Sequence, residues 1–403
     1  MKFKRGNLEH QILKIPKKVQ WCKRCVLSNQ RPRVIFNKEG VCSACLNLDY
    51  KRKINWKDRN KKLEILLSKH RKNNGDWDVV VPSSGGKDSG FVAHKLKYQY
   101  GMNPLLVTWS PLQYTNVGID NFNSLNDSGF INIKCSPNGI IHRKIARLSF
   151  EEFGDAFHVF VLGQTYFPIH MALKFNIKLI FYGENGELEY AGDPDSVDQP
   201  FKDLVKDEKW FKGYLKGTTF DDLLKYAVKN KNYIDKHILK DPDLNFYRSP
   251  KKSEMIKKNI MKTHYFSYYH KWNPQENYYY CVKNTGFKPN PERTEGTYSK
   301  YASIDDKMDG FHYYMRYIKF GLGRCMEDAA HEIRDGHISR DEAISLMKKY
   351  EGEFPKKYFL EFLNYLDISK KHFFQVVDSW RPKHLWQKSN KAWKLKNPVW
   401  KKY

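Results

Sequence analysis

The sequence predicts an α/β fold with a parallel central sheet, a small cysteine-rich module before it and a helical region after it. Short apolar runs alternate with helical stretches between residues 76 and 194. Two cysteine pairs lie before residue 50, and the last hundred residues show helical periodicity. Alternation of strands and helices is typical of a parallel sheet with crossover helices, whose ligands bind at the carboxyl ends of the strands.

The length of 403 residues predicts more than one structural unit, because a single core stops growing at about 250 to 300 residues. We divide the chain into a basic arm with a four-cysteine zinc module (1–50), a linker helix (51–75), the α/β domain (76–194), an insertion of helices and loops (195–295) and a helical carboxyl-terminal region (296–403).

The charge predicts an acidic or phosphate-bearing partner. Lys and Arg number 71 against 45 Asp and Glu, a formal net charge of +26. We find neither a secretory signal at the start nor an apolar run of the roughly 18 residues that a membrane span needs. We therefore expect a cytoplasmic protein without a transmembrane segment, which its charge would at most hold loosely against anionic lipid.

The cysteine module has metal-ligand spacing. "CKRC" and "CSAC" place Cys22, Cys25, Cys42 and Cys45 in a C-x2-C-x16-C-x2-C pattern, which is typical of a tetrathiolate zinc site with a structural role. An iron-sulfur cluster and redox thiols are the less favoured alternatives. Three further cysteines are interpreted as buried or incidental thiols: Cys135, Cys281 and Cys325.

The linker and the sheet have clear patterns. Residues 63 to 67, "LEILL", suit a short surface helix. Four runs predict strands: "WDVVVPSS", "NPLLVTWS", "FINIKCS" and "IKLIFYGEN". "GFVAHKLKYQYG" predicts a helix that ends at Gly101.

A glycine-rich loop, "SGGKDS" at residues 84 to 89, follows the first strand. It does not fit the Walker loop, because Val81 stands where the first glycine should be and Asp88 replaces the hydroxyl residue after Lys87. The glycines would let backbone N–H groups approach a phosphate, Lys87 would add charge, and Asp88 could hold Mg²⁺. The alternative is a turn that merely packs.

The carboxyl-terminal region predicts amphipathic helices. In "SRDEAISLMKKY", Ser339 and Glu342 have capping-box spacing. In "SKKHFFQVVDSW", four residues are expected on one apolar face: Phe373, Phe374, Val377 and Trp380.

The loop "SGGKDS" resembles the pyrophosphate loop of the ATP pyrophosphatases, the adenine nucleotide α-hydrolase (HUP-like) superfamily. The chain as a whole resembles the N-acetyl sugar amidotransferases of surface-polysaccharide biosynthesis, of the WbpG and PseA type. The resemblance includes "CKRCVLSNQRP", "GVCSAC", "FYGENGELEYAGD" at 181–193 and the stretch 303–355, which begins "SIDDKMDGFHYYMRYIKFGLGRCMEDAAHEIRDG".

This resemblance implies an enzyme that uses ATP and Mg²⁺ to activate the carbonyl oxygen of a sugar N-acetyl group, which ammonia then replaces. The products would be an acetamidino sugar, AMP and pyrophosphate. The implied partners are an N-acetylated sugar, which we expect to be nucleotide-linked, and glutaminase and cyclase-like subunits similar to those of imidazole glycerol phosphate synthase. Such an enzyme would act in the biosynthesis of lipopolysaccharide, capsule or flagellin glycans.

Position and chemistry together suggest roles for individual residues. Catalytic roles are expected for Lys87, Asp88 and Glu184. ATP contacts are expected from the loop and from two strand ends: Ser83, Ser84, Gly85, Gly86, Lys87, Asp88, Ser89, Thr108, Trp109, Gly183 and Asn185. Substrate contacts are expected from Asp305, Lys307, Lys319 and Arg324, where Arg324 is favoured because arginine binds phosphate in a bidentate manner.

Alternatives stay open for several of these residues. Thr108 and Trp109 could be a plain strand end, and the lysines could form surface ion pairs. Glu184 with Glu189 could assist Mg²⁺ or deprotonate ammonium, although for Glu189 a solvated loop charge is an equal interpretation. His312 and His331 are interpreted as core or surface histidines.

Two other functions fit part of the pattern. A tRNA-modifying pyrophosphatase would share the loop, the zinc module and the charge. Sulfur transfer, however, normally needs a cysteine pair near the nucleotide site, and the sequence has no C-x2-C outside the four predicted zinc ligands. A zinc-dependent nucleic-acid-binding protein would use the aromatic content of 15% for base stacking. We favour the amidotransferase and do not expect a nucleic acid partner.

Overall fold

The computed structural model describes residues 3–190, 198–206, 218–390 and 392–402. Eight strands lie in these described residues: β1 (Val79–Pro82), β2 (Pro104–Trp109), β3 (Asn132–Cys135), β4 (Leu179–Tyr182), β5 (Phe201–Asp203), β6 (Lys262–Tyr265), β7 (Trp386–Ser389) and β8 (Ala392–Leu395).

The helices are distributed along the whole described chain. They are α1 (Ser43–Lys51), α2 (Trp56–Ser68), α3 (Lys87–His94), α4 (Asn116–Asp127), α5 (Gly139–Phe153), α6 (His158–Lys174), α7 (Gly186–Glu189), α8 (Phe220–Asn230), α9 (Lys252–Lys257), α10 (Phe266–Tyr269), α11 (Pro274–Asn284), α12 (Asp309–Phe320), α13 (Arg324–Asp335), α14 (Arg340–Tyr350), α15 (Phe359–Leu366) and α16 (Lys370–Ser379). In the described ranges, no helix combines the length and apolarity that crossing a bilayer requires.

The central sheet has six strands in the order β3-β2-β1-β4-β6-β5. β1 pairs in parallel with β2 and β4, β2 with β3, and β4 with β6, while the edge strand β5 runs antiparallel to β6. All four predicted strands are present, and the predicted parallel α/β sheet is confirmed. The carboxyl ends of β1, β2 and β4 therefore meet at one edge.

Both faces of the sheet are covered by helices. Val80 lies opposite Leu105 and Ile180, and these three side chains join the larger core with α5 and α6. Val79 and Val81 face the opposite core, which includes residues of α2 and α3. This alternation follows from the two-residue period of a strand, and explains why β1 reads as a continuous apolar run.

The linker helix is part of the second core. Leu63 and Leu67 of α2 are fully buried in it, whereas Ile65 is 56% exposed. The predicted helix is thus present. The next predicted helix begins as α3, continues as a π-helical turn over Lys95–Gln99 and ends at Gly101, whose φ is +64°.

The segment 195–295 differs from the expected insertion of helices and loops. It contributes β5 and β6 to the central sheet, in addition to the described helices and helical turns between residues 220 and 284. β6 has the sequence "KTHY", which contains no apolar run that would predict a strand. Its two middle residues, Thr263 and His264, are nevertheless buried. The sheet position of β6 depends on pairing with β4, a long-range contact that local periodicity does not register.

The carboxyl-terminal region is helical, as predicted, and ends in the hairpin β7-β8. Ser339 and Glu342 form the predicted capping box at the start of α14. Phe373 and Val377 of α16 and Trp380 just after it are buried, but Phe374 is 39% exposed. The apolar face of α16 is narrower than predicted because adjacent helical residues differ by about 100° in direction.

Candidate functional site

The glycine-rich loop joins β1 to α3 at the carboxyl edge of the sheet. Gly85 has φ of +88°, and a Cβ at this position would lie 2.6 Å from the Cα of Phe122. The hydroxyls of Ser83 and Ser89 are 3.1 Å apart and close the base of the loop. Only glycine fits position 85, because both the backbone conformation and the available space exclude a side chain.

The charged residues of the loop begin the following helix. Gly86 is the N-cap of α3, and Lys87 and Asp88 are its first two residues. The Nζ of Lys87 lies 2.5 Å from Oδ2 of Asp88, and Asn277 donates its side-chain N–H to Oδ1 of Asp88 at 3.2 Å. The helix terminus, with its unpaired N–H groups and partial positive charge, is suited to bind an anion.

Two cavities meet at this loop. The strand-end cavity, about 520 Å³, is lined by the ends of β1, β2 and β4 and by α6. The acidic cavity, about 350 Å³, is lined by the loop, by residues 299–306 and by α13. Five residues line both cavities: Ser84, Gly86, Asp88, Gln164 and Tyr190. A ligand bound by the loop would therefore contact both spaces.

Glu184 lies in the strand-end cavity at the end of β4. Burial raises the pKa of its carboxyl to about 7, and the neighbouring carboxylate of Asp88 contributes to this rise. Two carboxyl groups that disfavour each other's charge in this way would both gain from a shared cation. The Mg²⁺ contact of Asp88 stays a prediction, and the raised pKa of Glu184 suits a base that titrates near neutral pH.

The strand-end residues predicted to contact ATP are placed differently from one another. Trp109, Gly183 and Asn185 line the strand-end cavity. Thr108 is fully buried and donates its hydroxyl to the Ser83 carbonyl at 2.5 Å, so it fixes β2 to the loop. Asn185 caps α7 by accepting the N–H of Glu187 at 3.1 Å, and its contact with ATP stays a prediction.

The acidic cavity carries more negative than positive residues. Seven acidic residues line it: Asp88, Asp305, Asp306, Asp309, Asp328, Glu332 and Asp335. Among its described lining residues, the lysine and arginine are Lys87 and Arg324. Burial raises the pKa of the carboxyls of Asp305, Asp328 and Glu332. The formal net charge of the chain is +26, so this cavity with its excess of acidic residues differs from the rest of the protein. It favours cationic or neutral ligands.

Arg324 lies in the acidic cavity, where its charge is partly neutralised. Its Nε donates to Oδ1 of Asp328 at 2.9 Å, and its Nη1 donates to the hydroxyl of Tyr313 at 2.5 Å. To bind a phosphate in the predicted bidentate manner, Arg324 would have to exchange these partners for phosphate oxygens.

The other predicted substrate contacts are divided between the cavity and the core. Asp305 lines the acidic cavity, and its backbone carbonyl accepts the N–H of Thr115 at 3.1 Å. Lys307 lies outside the described linings of both cavities, with its Nζ 5.5 Å from the Tyr358 ring centre. Lys319 is buried against Glu9 and donates to the Phe153 carbonyl at 2.7 Å. The structure thus places Asp305 and Arg324 together, and Lys307 and Lys319 apart from them.

Several residues that line the acidic cavity beside the predicted Arg324 were missed by the sequence reasoning. Helix α13 presents Arg324, Asp328, His331 and Asp335 to the acidic cavity at spacings of four, three and four residues. This polar stripe is visible in the sequence, but such a stripe normally faces solvent. Burial lowers the pKa of His331 well below its usual value, and its Nε2 is buried without a described hydrogen-bond partner.

The three cysteines outside the zinc module, and Glu189, are buried or half-buried in the fold. Cys281 donates its thiol to the Lys87 carbonyl at 3.0 Å, and burial raises its pKa to about 12. Cys325 is buried and Cys135 is half-buried. Glu189 is 7% exposed and pairs with Lys51 of α1, so the interpretation of this carboxylate as a solvated loop charge is wrong, and its functional role stays a prediction.

The four predicted zinc ligands converge. The sulfur atoms of Cys22, Cys25, Cys42 and Cys45 all lie within 4.8 Å of one another, and all four residues are buried. Sγ of Cys25 and Cys42 are 3.6 Å apart, and those of Cys22 and Cys45 are 3.9 Å apart. Tetrahedral zinc with Zn–S bonds of about 2.3 Å places sulfur atoms about 3.8 Å apart. The cluster fits a zinc ion, which these four thiolates would hold.

Comparisons with known proteins bear on the carboxyl-terminal region. Residues 295–399 match the family described as "LPS biosynthesis protein WbpG-like, C-terminal domain". An uncharacterized protein of Methanocaldococcus jannaschii is 33% identical over 88 residues, which are 21% of this chain and 31% of that relative. The match therefore spans about a third of that relative's length.

Among solved structures, NMN synthetase from Francisella tularensis is similar at 14% identity, covering 51% of this chain and 92% of that chain, with a TM-score of 0.20. A similarity of this size carries no argument about the site. The family match includes the stretch 303–355 on which the sequence resemblance rests, and the carboxyl-terminal region of this chain is WbpG-like.

Proposed function

We propose that the protein is an ATP-dependent amidotransferase that converts the N-acetyl group of a sugar to an acetamidino group, with release of AMP and pyrophosphate. The observation that carries this proposal is the meeting of two cavities at one glycine-rich loop. Such an arrangement allows a nucleotide on one side and an acceptor on the other to react across the loop. The WbpG-like carboxyl-terminal region supports a role in lipopolysaccharide biosynthesis.

The loop would hold the pyrophosphate leaving group. Backbone N–H groups of Ser84 to Gly86, the start of α3 and the Lys87 ammonium would face the phosphates as charge develops there. Mg²⁺, held by Asp88, would supply electrostatic stabilisation of the triphosphate. Trp109 and Gly183 would line the nucleoside part of the strand-end cavity.

The reaction itself has two steps. The amide carbonyl oxygen attacks the α-phosphorus of ATP and pyrophosphate leaves. Ammonia then adds to the activated carbon, and AMP leaves with the former carbonyl oxygen. One proton is lost from the nitrogen, and Glu184 is the group in the strand-end cavity that is suited to accept it near neutral pH.

The acidic cavity fits the acceptor side of this reaction. Its carboxylates would favour ammonium as the reservoir of the nucleophile, and an amidinium product, which is cationic. We propose that ammonia comes from glutaminase and cyclase-like partners, that the sugar is nucleotide-linked, and that the protein acts in the cytoplasm.

Nucleotide product analysis tests the proposal. Purified protein with Mg-ATP and ammonium is given UDP-N-acetyl sugars in one series and bulk tRNA in another. We expect AMP and pyrophosphate only with a sugar, and a sugar product in which oxygen has been replaced by NH. The variants Lys87→Ala and Asp88→Ala should lose AMP formation while their circular dichroism spectra stay unchanged.

The other outcomes are equally informative. AMP formation only with tRNA would move the protein to base modification. Tight, salt-dependent RNA or DNA binding without ATP turnover would support the binding-protein alternative. AMP formation that persists in both loop variants would contradict the role assigned to the loop.

A further inference from the structure

The cysteine module contributes two arginines to the wall of the strand-end cavity. Arg31 and Arg33 line this cavity together with Ser83, Ser84 and Asp88 of the glycine-rich loop. They lie between the two cysteine pairs, in the stretch "SNQRPRV". A module that is expected only to stabilise the fold therefore reaches the space where the nucleotide is proposed to bind.

The backbone that carries Arg31 is held in place. Its amide donates to the Ser28 carbonyl at 3.2 Å, next to the turn in which Cys22 donates to the Leu27 carbonyl at 2.8 Å. The adjacent Gln30 is 1% exposed, and its side-chain N–H donates to the Pro16 carbonyl at 2.9 Å. The position of Arg31 is thus fixed by the cysteine module and by the amino-terminal arm.

The charged side chains that act most strongly on Arg31 are already paired with one another. Three arginines face two glutamates here. Arg33 donates to Glu187 at 2.5 and 3.2 Å, and Arg316 pairs with Glu327. Arg31 has no described ion pair, and its Nε is buried without a hydrogen-bond partner among the described residues. Arg31 as a whole is half-buried, but leaving its buried Nε–H without a partner is costly, so a ligand that accepts from it would be bound more tightly.

The surroundings of Arg31 also lower the pKa of its guanidinium to about 10, first through burial and then through the charge of Arg316. At neutral pH the group is still protonated. Its guanidinium lies 5.8 Å from the ring centre of Tyr190, a residue that lines both cavities. Arg31 therefore lies in the strand-end cavity near a residue that also lines the acidic cavity.

We propose that Arg31 binds a phosphate group of the ligand in the strand-end cavity, so that the cysteine module forms part of the binding site. This inference rests on the proposed function for the presence of a phosphate-bearing ligand. The phosphate belongs either to ATP or to the diphosphate of a nucleotide-linked sugar, since both offer oxygens that match the planar guanidinium. A diphosphate suits the strand-end cavity, whose described lining has as many basic as acidic residues, better than the acidic cavity, where acidic residues outnumber basic ones.

Isothermal titration of three probes tests the proposal: Mg-ATP, pyrophosphate and UDP. In Arg31→Ala, we expect at least one probe to bind about tenfold more weakly, which is the usual loss for a hydrogen bond to a charged group. Arg31→Lys keeps the positive charge but lacks the planar guanidinium, so its affinity for the probe should lie between those of the native protein and Arg31→Ala. Weaker binding of both ATP and pyrophosphate assigns the contact to ATP. Weaker binding of UDP alone assigns it to the nucleotide-linked sugar.

Arg24→Ala is the matched control, because Arg24 belongs to the same module but pairs with Asp49 at 2.5 Å on the surface. It should bind all three probes as the native protein does. Zinc content and thermal midpoint show whether each variant is folded. If Arg31→Ala does not fold, Arg31→Lys decides the matter by the same titration.

Binding and metal retention should also be coupled in the native protein. A ligand held by Arg31 stabilises the module, so the effective probe should raise the chelator concentration needed to release half of the zinc. This effect should be smaller in Arg31→Lys. Unchanged affinity for all three probes in a folded Arg31 variant would overturn the proposal, whether or not the protein proves to be a sugar amidotransferase.

Discussion

At the scale of single residues, burial sets the chemistry of the site. Burial is the larger cause of the raised pKa of Glu184, and the negative charge of Asp88 adds to it. A carboxyl with a pKa of about 7 is half protonated at neutral pH. The same group on the surface would be fully ionised, and a much weaker base.

The variant Glu184→Gln tests the proposed base. Because the carboxylate is the active form, kcat/KM of the native protein for AMP formation should rise as the pH increases through about 7. Glu184→Gln should lose this rise and most of the rate, whereas Glu184→Asp should keep a pH-dependent rate. A pH profile of initial rates for the three proteins measures this. An unchanged profile in Glu184→Gln would assign the proton to another group.

At the scale of elements, two consecutive helices show how local and non-local signals differ. Helix α14 begins at a capping box in which Glu342 donates its N–H to the Ser339 hydroxyl at 3.2 Å and Ser339 donates its N–H to the Glu342 carboxylate at 2.7 Å. This feature is local and was predicted. Helix α13 begins after Gly323, whose N–H donates to Glu351, a residue at the far end of α14. That contact joins residues 28 positions apart in the chain, so it was visible only in the tertiary structure.

The capping box predicts a small, measurable contribution to stability. Ser339→Ala removes the hydroxyl that accepts the N–H of Glu342, so the free energy of unfolding should fall by about 1 kcal/mol. Urea denaturation followed by circular dichroism measures the change. Ser345→Ala is the control, since the Ser345 hydroxyl bonds within the same helix, to the Asp341 carbonyl. Loss of the Ser345 hydroxyl should leave the free energy of unfolding nearly unchanged. An equal decrease in both variants would contradict the capping role of Ser339.

At the scale of the whole molecule, the cysteine module and the carboxyl-terminal helices share one core. The four cysteines belong to the same buried cluster as Met326 and Ala329 of α13 and Ala343 and Met347 of α14. Arg340 of α14 also donates to the carbonyls of Cys22 and Cys25. The two ends of the chain therefore depend on each other for their burial.

Removal of the metal should consequently affect more than the module. Native protein should contain about one zinc per chain. Cys42→Ser should lose this zinc and show a lower thermal midpoint with loss of helical signal, because structural zinc contributes directly to folding free energy. Metal analysis and thermal circular dichroism measure both. Cys135→Ser, outside the cluster, should keep its zinc, and a Cys42→Ser protein with full zinc content would contradict the assignment of the ligands.

The sequence by itself determined the local features: the four strands of the α/β core, the loop at residues 84 to 89, the cysteine spacing and the capping box. Each of these depends on residue types at short separations, which fix backbone conformation or ligand geometry locally. The WbpG-like character of residues 295–399 was also visible in the sequence.

Only the tertiary structure decided what these features face. It placed β6 in the sheet, Lys319 in the core, the polar stripe of α13 in a cavity and Arg31 in the same cavity as the glycine-rich loop. All four depend on contacts between residues far apart in the chain. A polar residue on an amphipathic helix or in a zinc module has the same local pattern whether it faces solvent or a binding site, and long-range packing determines which of the two applies.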